Sequence, residues 1–290
     1  MTVMALKLMY ITNDETIAKI AEKHGVDRIC RIWIDLETLG KEERQKNMNT
    51  VKSHHKVLDI TKVKNVLSTS EVLVRINPIN ENSEREIKEI IHAGADMIML
   101  PMWKSKEEVQ VFLKLIRNNS KAVKTTLLLE TKEAVECIDT ILDIGGFDEI
   151  HIGLNDLHLS YNLTFMFELL SNGVVEKLCD KFKKAGIPYG FGGIAKIGDG
   201  LLPAERIIME HYRLGSTRAI LSRTFCDNAV IESSREIERV FNINMKKMRQ
   251  FEETLKNFPL EEFMNNKNEV AKIVKNIVKT KGENNAESKL

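Results

Sequence analysis

The sequence predicts an α/β protein, a (β/α)8 TIM barrel with additional C-terminal helices. Eight short apolar runs lie between residues 6 and 221, and nearly every one precedes a helical segment. This alternation implies a parallel sheet, because each strand must cross over through a helix to lie beside the previous one. Eight such repeats are enough to close a barrel. The first run is followed by TNDE, which lacks the glycine-rich loop expected of an open, doubly wound sheet.

The strand-like runs are short and rich in aliphatic residues, as strands buried on both faces are. The second is rich in Ile and ends in acidic residues, the fourth is closed by Pro101, and the seventh runs into Gly192 and Gly193. The runs cover residues 6–11, 28–36, 72–76, 97–100, 125–129, 149–152, 188–191 and 218–221. Helices are predicted between them near residues 15–23, 84–92, 106–116, 133–142, 165–184 and 204–212.

The pattern changes after the last run, which sets the predicted domain boundaries. Residues 1–225 are predicted to form the catalytic barrel, and residues 226–280 a helical extension with helices near 228–254 and 261–278. Residues 281–290 are polar without apolar spacing, which indicates a disordered tail.

Composition excludes several classes of function. The 43 Lys and Arg residues nearly balance the 42 Asp and Glu residues, so the net charge of +1 favours neither nucleic acid nor an anionic membrane as a partner. The four cysteines form no CxxC pair and are expected to be reduced thiols. We find no signal-peptide pattern and no apolar run long enough to span a membrane, so a cytoplasmic location is expected.

Polar residues at the ends of the predicted strands indicate a metal site. In such barrels the active site gathers at the C-terminal ends of the strands. Glu130 follows three leucines, and Asp156 follows the apolar sixth run. Two carboxylates at one mouth suit a hard divalent cation and leave positions for water and substrate. For each acid taken alone, the competing interpretation is a helix cap or a loop residue.

An arginine at the end of the third run suggests an anionic substrate. The guanidinium of Arg75 matches a carboxylate in a bidentate manner, or it forms a structural salt bridge with Glu130 or Asp35. Near the last run, Arg218 and Arg223 are further candidates for binding a phosphate or a second carboxylate.

Four stretches carry a resemblance to a known family. They are VLVRIN at residues 72–77, GADMIMLPM at 94–102, LLLET at 127–131 and HIGLNDLHLS at 151–160. In this order and spacing the sequence resembles the HpcH/HpaI aldolase and citrate lyase family over roughly residues 6–224. The resemblance implies a TIM barrel of the pyruvate/phosphoenolpyruvate superfamily. It also implies the making or breaking of a carbon–carbon bond next to an enolisable group, with Mg2+ or Mn2+.

The resemblance also implies roles for individual residues. Glu130 and Asp156 match the metal ligands, and Arg75 matches the residue that binds the substrate carboxylate. The backbone N–H groups of the turn at residues 153–156 match a keto-acid-binding turn, whose members are Gly153, Leu154, Asn155 and Asp156. Asp35 and Glu37 fall where family members carry an acidic loop that contributes to the substrate site.

The sequence departs from the aldolase pattern at the acidic loop, which indicates an atypical branch of the family. Thr38 stands where the aldolases usually carry a histidine. His54, His55 and His158 are candidates for the missing acid/base group, and a metal-bound water is an alternative. For each histidine the competing interpretation is a surface or loop residue. Leu128 stands where aldolases often place a glutamine that helps to bind pyruvate.

Three functions remain open at this point. The first is a metal-dependent carbon–carbon lyase or aldolase, in which the enolate of a 2-keto acid adds to, or is released from, an aldehyde or acyl acceptor. The second is a citrate-lyase-like acyl-CoA lyase, which the DLE at residues 35–37 favours. The third is a non-catalytic ligand-binding or scaffold protein, which the absence of the histidine favours. A homo-oligomer is expected, with the Met- and Ile-bearing C-terminal helices as the contact surface. The competing interpretation is that these helices pack on their own barrel.

Overall fold

The chain forms a closed barrel of eight parallel strands, which confirms the predicted fold class. The computed structural model describes residues 5–25, 29–44, 54–222, 224–227, 231 and 233–287. Each strand pairs with the next, and β1 pairs with β8 to close the sheet. The strands are β1 (Lys7–Ile11), β2 (Ile29–Asp35), β3 (Glu71–Arg75), β4 (Met97–Leu100), β5 (Lys124–Leu129), β6 (Glu149–Ile152), β7 (Tyr189–Ile194) and β8 (Arg218–Leu221).

Helices follow the strands and surround the barrel. Within the barrel they are α1 (Glu15–Gly25), α2 (Lys41–Arg44), α3 (Val57–Val66), α4 (Ser83–His92), α5 (Lys106–Asn119), α6 (Lys132–Glu136), α7 (Ile138–Ile144), α8 (Leu154–Ser160), α9 (Glu168–Ser171), α10 (Val174–Lys184) and α11 (Ala204–Leu214). After the barrel come α12 (Ser234–Leu255) and α13 (Leu260–Glu287).

Alternate strand residues face the helices or the interior of the barrel. In β6, Ile150 and Ile152 belong to the large core between sheet and helices, whereas Glu149 and His151 point inward. The interior contains an inner apolar cluster, made of Met9, Trp33, Leu73, Met97, Met99 and Leu128. The barrel interior is therefore a core filled by side chains and not a pore.

Buried charges close the N-terminal end of the barrel. Glu149 forms ion pairs with Arg31 on β2 and with Arg218 on β8, the latter at 2.6 Å between Arg218 Nε and Glu149 Oε2. Glu71 extends the cluster through a 3.0 Å contact with Arg31 Nε. Glu71, Glu149 and Arg218 are the first residues of their strands, at the end of the barrel that in this fold serves stability rather than catalysis.

The C-terminal helices pack on their own barrel. α12 lies against α1, and α13 lies against α9 and α11. Met245 and Met248 of α12 are buried within the chain, so this part of the predicted oligomer surface is already covered. The oligomeric state stays a prediction. A carboxylate oxygen of Glu252 accepts a hydrogen bond from the backbone N–H of Leu6 at 2.9 Å, which ties α12 to the start of β1.

Several helix boundaries differ from those expected. The predicted helix at residues 133–142 is split at Cys137, and the predicted helix at 165–184 is interrupted by Gly173, which has a φ of +82°. The helix α13 continues to Glu287, past the predicted end at residue 278 and into the predicted tail at 281–290. Residues 288–290 lie outside the described residues, and the domain boundaries at 225 and 280 stay predictions.

Two expectations from composition are met in the part of the chain that the structure describes. Cys137, Cys179 and Cys226 are free thiols. No described helix has both the length and the apolar character that crossing a membrane requires.

Candidate active site

A cavity of about 360 Å³ opens at the C-terminal ends of the strands. It includes seven of the residues predicted for the site, namely Asp35, Arg75, Glu130, Gly153, Leu154, Asn155 and Asp156. Side chains that sequence reasoning did not select also line it, among them Tyr10, Trp33, Lys41, His151 and Cys226. The residues at the strand ends therefore converge, as expected for this fold.

Glu130 is held at the end of β5 by the structure on both sides of it. Leu127, Leu128 and Leu129 are buried in the strand, and Thr131 caps α6 by accepting a hydrogen bond from the N–H of Ala134 at 3.1 Å. The backbone N–H of Met102 donates to Glu130 Oε1 at 3.1 Å. Glu130 is thus a fixed carboxylate rather than a mobile loop residue.

The electrostatic environment of Glu130 opposes its ionisation. Burial raises the pKa of Glu130, and the negative charge of Asp156 raises it further, whereas Arg75 works in the opposite direction. Glu130 and Asp156 also line the same cavity. Neighbouring carboxylates are oxygen donors of the kind that a divalent cation would bind, and their role as metal ligands stays a prediction.

Gly153 allows β6 to approach Glu130 closely. A Cβ atom at this position would lie 2.8 Å from Glu130 Oε2 and 2.9 Å from Glu130 Cβ, so a larger residue would displace the carboxylate. The N–H of Gly153 donates to the carbonyl oxygen of Leu129 at 2.9 Å and is therefore already used. The N–H groups of Leu154, Asn155 and Asp156 lie in the first turn of α8, where amides have no partner within the helix.

Arg75 forms a salt bridge with Asp35. The sequence analysis gave such a salt bridge as the alternative to binding a substrate carboxylate. Its Nε and Nη2 atoms each donate to Asp35 at 2.9 Å, and its Nη1 lies 3.3 Å from Glu37 Oε2. The guanidinium also lies 5.4 Å from the ring centre of Trp33. The ion pair fixes the orientation of Arg75, and its role toward a substrate carboxylate stays a prediction.

The short helix α2 supplies two cations that sequence reasoning missed. Lys41 Nζ lies 2.5 Å from Asp35 Oδ2. Arg44 lies 2.5 Å from Glu37 through its Nη2, and its Nε lies 3.3 Å from Asp156 Oδ1. No helix was predicted from the sequence for the segment that contains both residues. Their spacing along one helical turn, after a strand that ends in acids, was the available signal.

Among the residues that the structure describes, the ion pairs at the mouth involve three carboxylates and leave Glu130 without one. The four acids Asp35, Glu37, Glu130 and Asp156 face the three cations Lys41, Arg44 and Arg75. Among the described residues, no group of three or more His, Cys, Asp or Glu side chains is arranged to hold a metal ion. Mg2+ often binds proteins through only one or two carboxylates and keeps several waters, so Glu130 and Asp156 stay the predicted ligands.

The structure does not bring the three predicted histidines to the cavity lining. His54 is exposed, and His55 Nδ1 accepts a hydrogen bond from the N–H of Asp35 at 3.0 Å. His158 Nδ1 lies 3.2 Å from the carbonyl oxygen of Leu154. Burial lowers the pKa of His55 and of His158, so both are held as neutral, hydrogen-bonded side chains. Proton transfer by these residues stays a prediction.

The arginine predicted near the last strand lies at the wrong end of the barrel. Arg218 is the first residue of β8 and pairs with Glu149 at the N-terminal end, so it does not reach a substrate at the mouth. Arg223, the other arginine predicted near the last strand, lies outside the described residues.

Gly192 and Gly193 line the cavity, and Gly192 adopts a φ of +54°. Their lack of side chains widens the mouth along β7.

Comparisons with solved structures agree with this fold. The chain superposes on an HpcH/HpaI aldolase/citrate lyase family protein from Burkholderia cenocepacia J2315 with a TM-score of 0.57 and 13% identity, covering 80% of this chain and 95% of the other. An HpcH/HpaI aldolase from Desulfitobacterium hafniense DCB-2 gives a TM-score of 0.54 and 15% identity, covering 88% and 94%. These likenesses show the fold. A search of curated proteins finds no match.

A match to a protein-family model shows the family of this chain. The model described as HpcH/HpaI aldolase/citrate lyase matches residues 8–166, which is more than half of the 290 residues and includes β1 to β6 with Arg75, Glu130 and Asp156. This chain belongs to the HpcH/HpaI aldolase/citrate lyase family.

Proposed function

We propose that the chain is a divalent-metal-dependent carbon–carbon lyase of the aldolase type, which acts through the enolate of pyruvate or a related 2-keto acid. One observation carries the proposal. Glu130 is a buried carboxylate with a raised pKa, it lies beside Asp156, and both face a cavity that Arg75 also lines. Membership of the family supports the reaction class.

Glu130 and Asp156 would hold the cation, with Mg2+ or Mn2+ as the fitting ion. When bound, the ion supplies Lewis-acid stabilisation of the negative charge that develops on a keto oxygen. Before a ligand reaches Asp156, the 3.3 Å contact from Arg44 must loosen, and Arg44 stays anchored through its ion pair with Glu37. Arg44 thereby remains at the mouth as a positive charge for an anionic substrate.

Arg75 would orient the substrate carboxylate. Asp35 holds the guanidinium through two hydrogen bonds, so little side-chain entropy is lost when Arg75 binds a ligand. The N–H groups of Leu154 and Asn155, in the first turn of α8, are donors of the kind that fixes a planar keto acid. Leu128 and Ile220 give the cavity an apolar wall that excludes water and strengthens these polar contacts.

The proposal is tested by removing each metal carboxylate separately. We expect Glu130→Gln and Asp156→Asn each to weaken Mn2+ binding, followed by electron paramagnetic resonance, by more than about a hundredfold. Removing a residue that only supports a metal ligand lowers metal affinity by 10- to 100-fold, and removing the ligand itself should lower it further. The control is Glu133→Gln, because Glu133 is half exposed on α6, beside Lys104 and outside the cavity lining.

The same proteins distinguish the reaction classes. Pyruvate release from 4-hydroxy-2-oxo acids, measured with an NADH-coupled assay, supports an aldolase, whereas cleavage of malyl-CoA instead supports the acyl-CoA lyase. Wild-type protein that binds no Mn2+ and turns over neither substrate is a scaffold. Retention of Mn2+ binding and turnover in either carboxylate variant contradicts the proposed site.

A further inference from the structure

Proton transfer at the acceptor oxygen has no assigned residue in the proposed function. When an enolate adds to an aldehyde, the carbonyl oxygen of the aldehyde gains negative charge and must take a proton to become a hydroxyl group. His54, His55 and His158, the histidines predicted for this task, do not line the cavity. Another side chain at the cavity, or water, must therefore supply this proton.

Three polar side chains of the lining are poorly suited to proton transfer near neutral pH. Burial raises the pKa of Tyr10 well above its usual range, and the Tyr10 hydroxyl donates to the carbonyl oxygen of Cys226 at 3.1 Å. Burial also raises the pKa of the Cys226 thiol to about 11, and it lowers the pKa of His151 to about 3. Tyr10 and Cys226 therefore keep their protons, and His151 stays neutral.

Lys41, the first residue of α2, is a buried cation in the same lining. It is 5% exposed, and its backbone N–H donates to the carbonyl oxygen of Thr38 at 3.3 Å, which fixes the start of the helix. Its Nζ donates to Asp35 Oδ2 at 2.5 Å, and Asp35 is the hydrogen-bond partner that this nitrogen has among the described residues. An ammonium group carries three N–H donors, so two remain for a ligand.

Asp35 places the ammonium group of Lys41 beside the guanidinium group of Arg75. Lys41 Nζ and Arg75 Nη2 contact the same oxygen atom, Asp35 Oδ2, at 2.5 Å and 2.9 Å. In the proposed function Arg75 orients the substrate carboxylate, and Glu130 lines the same cavity. A substrate held by Arg75 therefore lies next to the free N–H groups of Lys41.

We propose that Lys41 is a catalytic residue of this site, the general acid that protonates the acceptor oxygen when the carbon–carbon bond forms. It takes the proton back when the bond breaks, and Asp35 holds the nitrogen in place throughout. This inference rests on the proposed function, because that function supplies the enolate. It adds the proton donor that Arg75 and the two metal carboxylates do not provide.

The step joins two carbon atoms and transfers one proton. The electron pair of the enolate double bond forms the new bond to the aldehyde carbon, and the π pair of the carbonyl group moves onto its oxygen. That oxygen takes a proton from the Lys41 ammonium group, and the resulting amine recovers a proton from water. In cleavage the amine takes the hydroxyl proton, the carbon–carbon bond breaks, and its electron pair becomes the enolate, which takes a proton from water to give pyruvate.

Two substrates that release the same enolate test this role. Cleavage of 4-hydroxy-2-oxopentanoate requires removal of a hydroxyl proton, whereas decarboxylation of oxaloacetate does not. Lys41→Arg keeps a positive charge and N–H donors, but a guanidinium group does not give up its proton. We expect pyruvate release from the hydroxy acid to fall by at least about a hundredfold, as loss of a general acid predicts. Pyruvate release from oxaloacetate, above the rate without enzyme, and Mn2+ affinity should stay within about threefold of wild type.

The control is Lys181→Arg, at a lysine that also pairs with an aspartate. Lys181 Nζ lies 2.6 Å from Asp139, but both residues are exposed and outside the cavity lining. This variant should match the wild-type protein for both substrates and for Mn2+.

Added amines test whether the proton itself matters. Lys41→Ala opens space beside the cavity of about 360 Å³, so a small cation can enter. Trimethylammonium carries one N–H group and forms no imine with a keto acid, whereas tetramethylammonium has the same charge and no proton. We expect trimethylammonium to raise the rate at which Lys41→Ala cleaves the hydroxy acid by at least about tenfold, and tetramethylammonium by less than about twofold.

The outcomes separate this inference from the function on which it rests. If the wild-type protein binds no Mn2+ and releases pyruvate from neither substrate, the proposed function fails and the inference fails with it. If the wild-type protein is active and Lys41→Arg cleaves the hydroxy acid equally fast, the inference alone is overturned. Equal losses for both substrates would indicate a structural role and would overturn it too.

The amine experiment decides the question even if Lys41→Arg does not fold, because it needs only Lys41→Ala. A larger rescue by trimethylammonium than by tetramethylammonium supports proton transfer at this position. If trimethylammonium restores no more activity than tetramethylammonium, Lys41 is not the general acid.

Discussion

Asp35 is the carboxylate on which the positive charges at the mouth converge. Burial alone would raise the pKa of Asp35, but Arg75 and Lys41 outweigh it and hold the pKa well below its usual range. The N–H of the same residue donates to His55. Asp35 therefore organises the site through its neighbours.

The folded state should lose much of its acid sensitivity when Asp35 cannot ionise. A carboxyl with a depressed pKa stabilises the folded state above its unfolded pKa, near 3.8, and this stability is lost as the pH falls below that value. Asp35→Asn should cost about 3 kcal/mol at pH 7, because Arg75 and Lys41 lose their counter-charge. Urea unfolding at pH 7 and pH 3 measures both effects.

The control for this prediction is Asp139→Asn, an exposed residue that pairs with Lys181. Its loss should leave the pH dependence of unfolding unchanged. If wild type and Asp35→Asn lose equal stability between pH 7 and pH 3, the ionised form of Asp35 is not what stabilises this end of the barrel.

A single methyl group at Gly153 should disturb the proposed metal site. In Gly153→Ala the new Cβ would lie within 3 Å of the Glu130 side chain, so the carboxylate must shift. We expect Mn2+ affinity to fall by at least about tenfold, since misplacement by 1 Å costs up to a hundredfold in comparable sites. Gly282→Ala is the control, because a Cβ there would meet nothing. Equal Mn2+ affinity in both variants would contradict the close approach.

The charged residues that follow the strands were predictable as cavity-lining residues, because the fold brings the C-terminal ends of all strands to one face. Glu130, Asp156, Asp35 and Arg75 were found in this way. His151 was missed because it lies inside a strand, where only the inward or outward alternation of side chains reveals it. Lys41 and Arg44 were missed because a four-residue helix leaves little periodic signal.

At the scale of elements, α12 supports the wall of the active-site cavity. Phe241 of α12 is fully buried, and its ring meets that of Tyr10 edge to face with centroids 5.0 Å apart. Tyr10 lines the cavity, and its hydroxyl donates to the carbonyl oxygen of Cys226 at 3.1 Å. The helix is therefore part of the barrel's own packing.

Truncation of this aromatic contact should be costly. Phe241→Ala should lower the free energy of unfolding by about 3 kcal/mol or more, because it removes a buried ring and leaves a cavity. Ile243, two residues further along the same helix, is 40% exposed, so Ile243→Ala should cost less than about 1 kcal/mol. Urea denaturation compares the two. Similar losses would show that α12 packs differently.

Helix existence was easier to predict than helix ends. Amphipathic periodicity located most helices between the strands, but it ran across Gly173 and Cys137, where the backbone breaks. The segment after β6 was expected to be a turn, yet it forms α8. Breaks of this kind depend on local backbone angles and tertiary contacts, which periodicity does not record.

At the scale of the whole molecule, the two ends of the barrel have different tasks. Glu149 joins Arg31 and Arg218 at the N-terminal end, whereas the cavity opens at the other. Glu149→Gln should lower stability by about 3 kcal/mol, because two buried guanidinium groups lose their shared partner. Mn2+ affinity should stay within about twofold of wild type, since stability and function occupy opposite ends.

Thermal unfolding and Mn2+ titration of the same sample check this separation. The control is Glu269→Gln, an exposed residue paired with Lys272 on α13, for which neither property should change. A large loss of Mn2+ affinity in Glu149→Gln with unchanged stability would contradict the division between the two ends.

The hydrogen bond between Leu6 and Glu252 can form only late in the synthesis of the chain. The two residues are 246 positions apart, so the bond cannot form until the ribosome has made nearly all of α12. At about 5 to 20 residues per second, synthesis of that interval takes roughly 12 to 50 s. β1 also waits for β8, its partner in closing the sheet. Throughout this time the first strand is an open edge, which a chaperone or a neighbouring chain can reach.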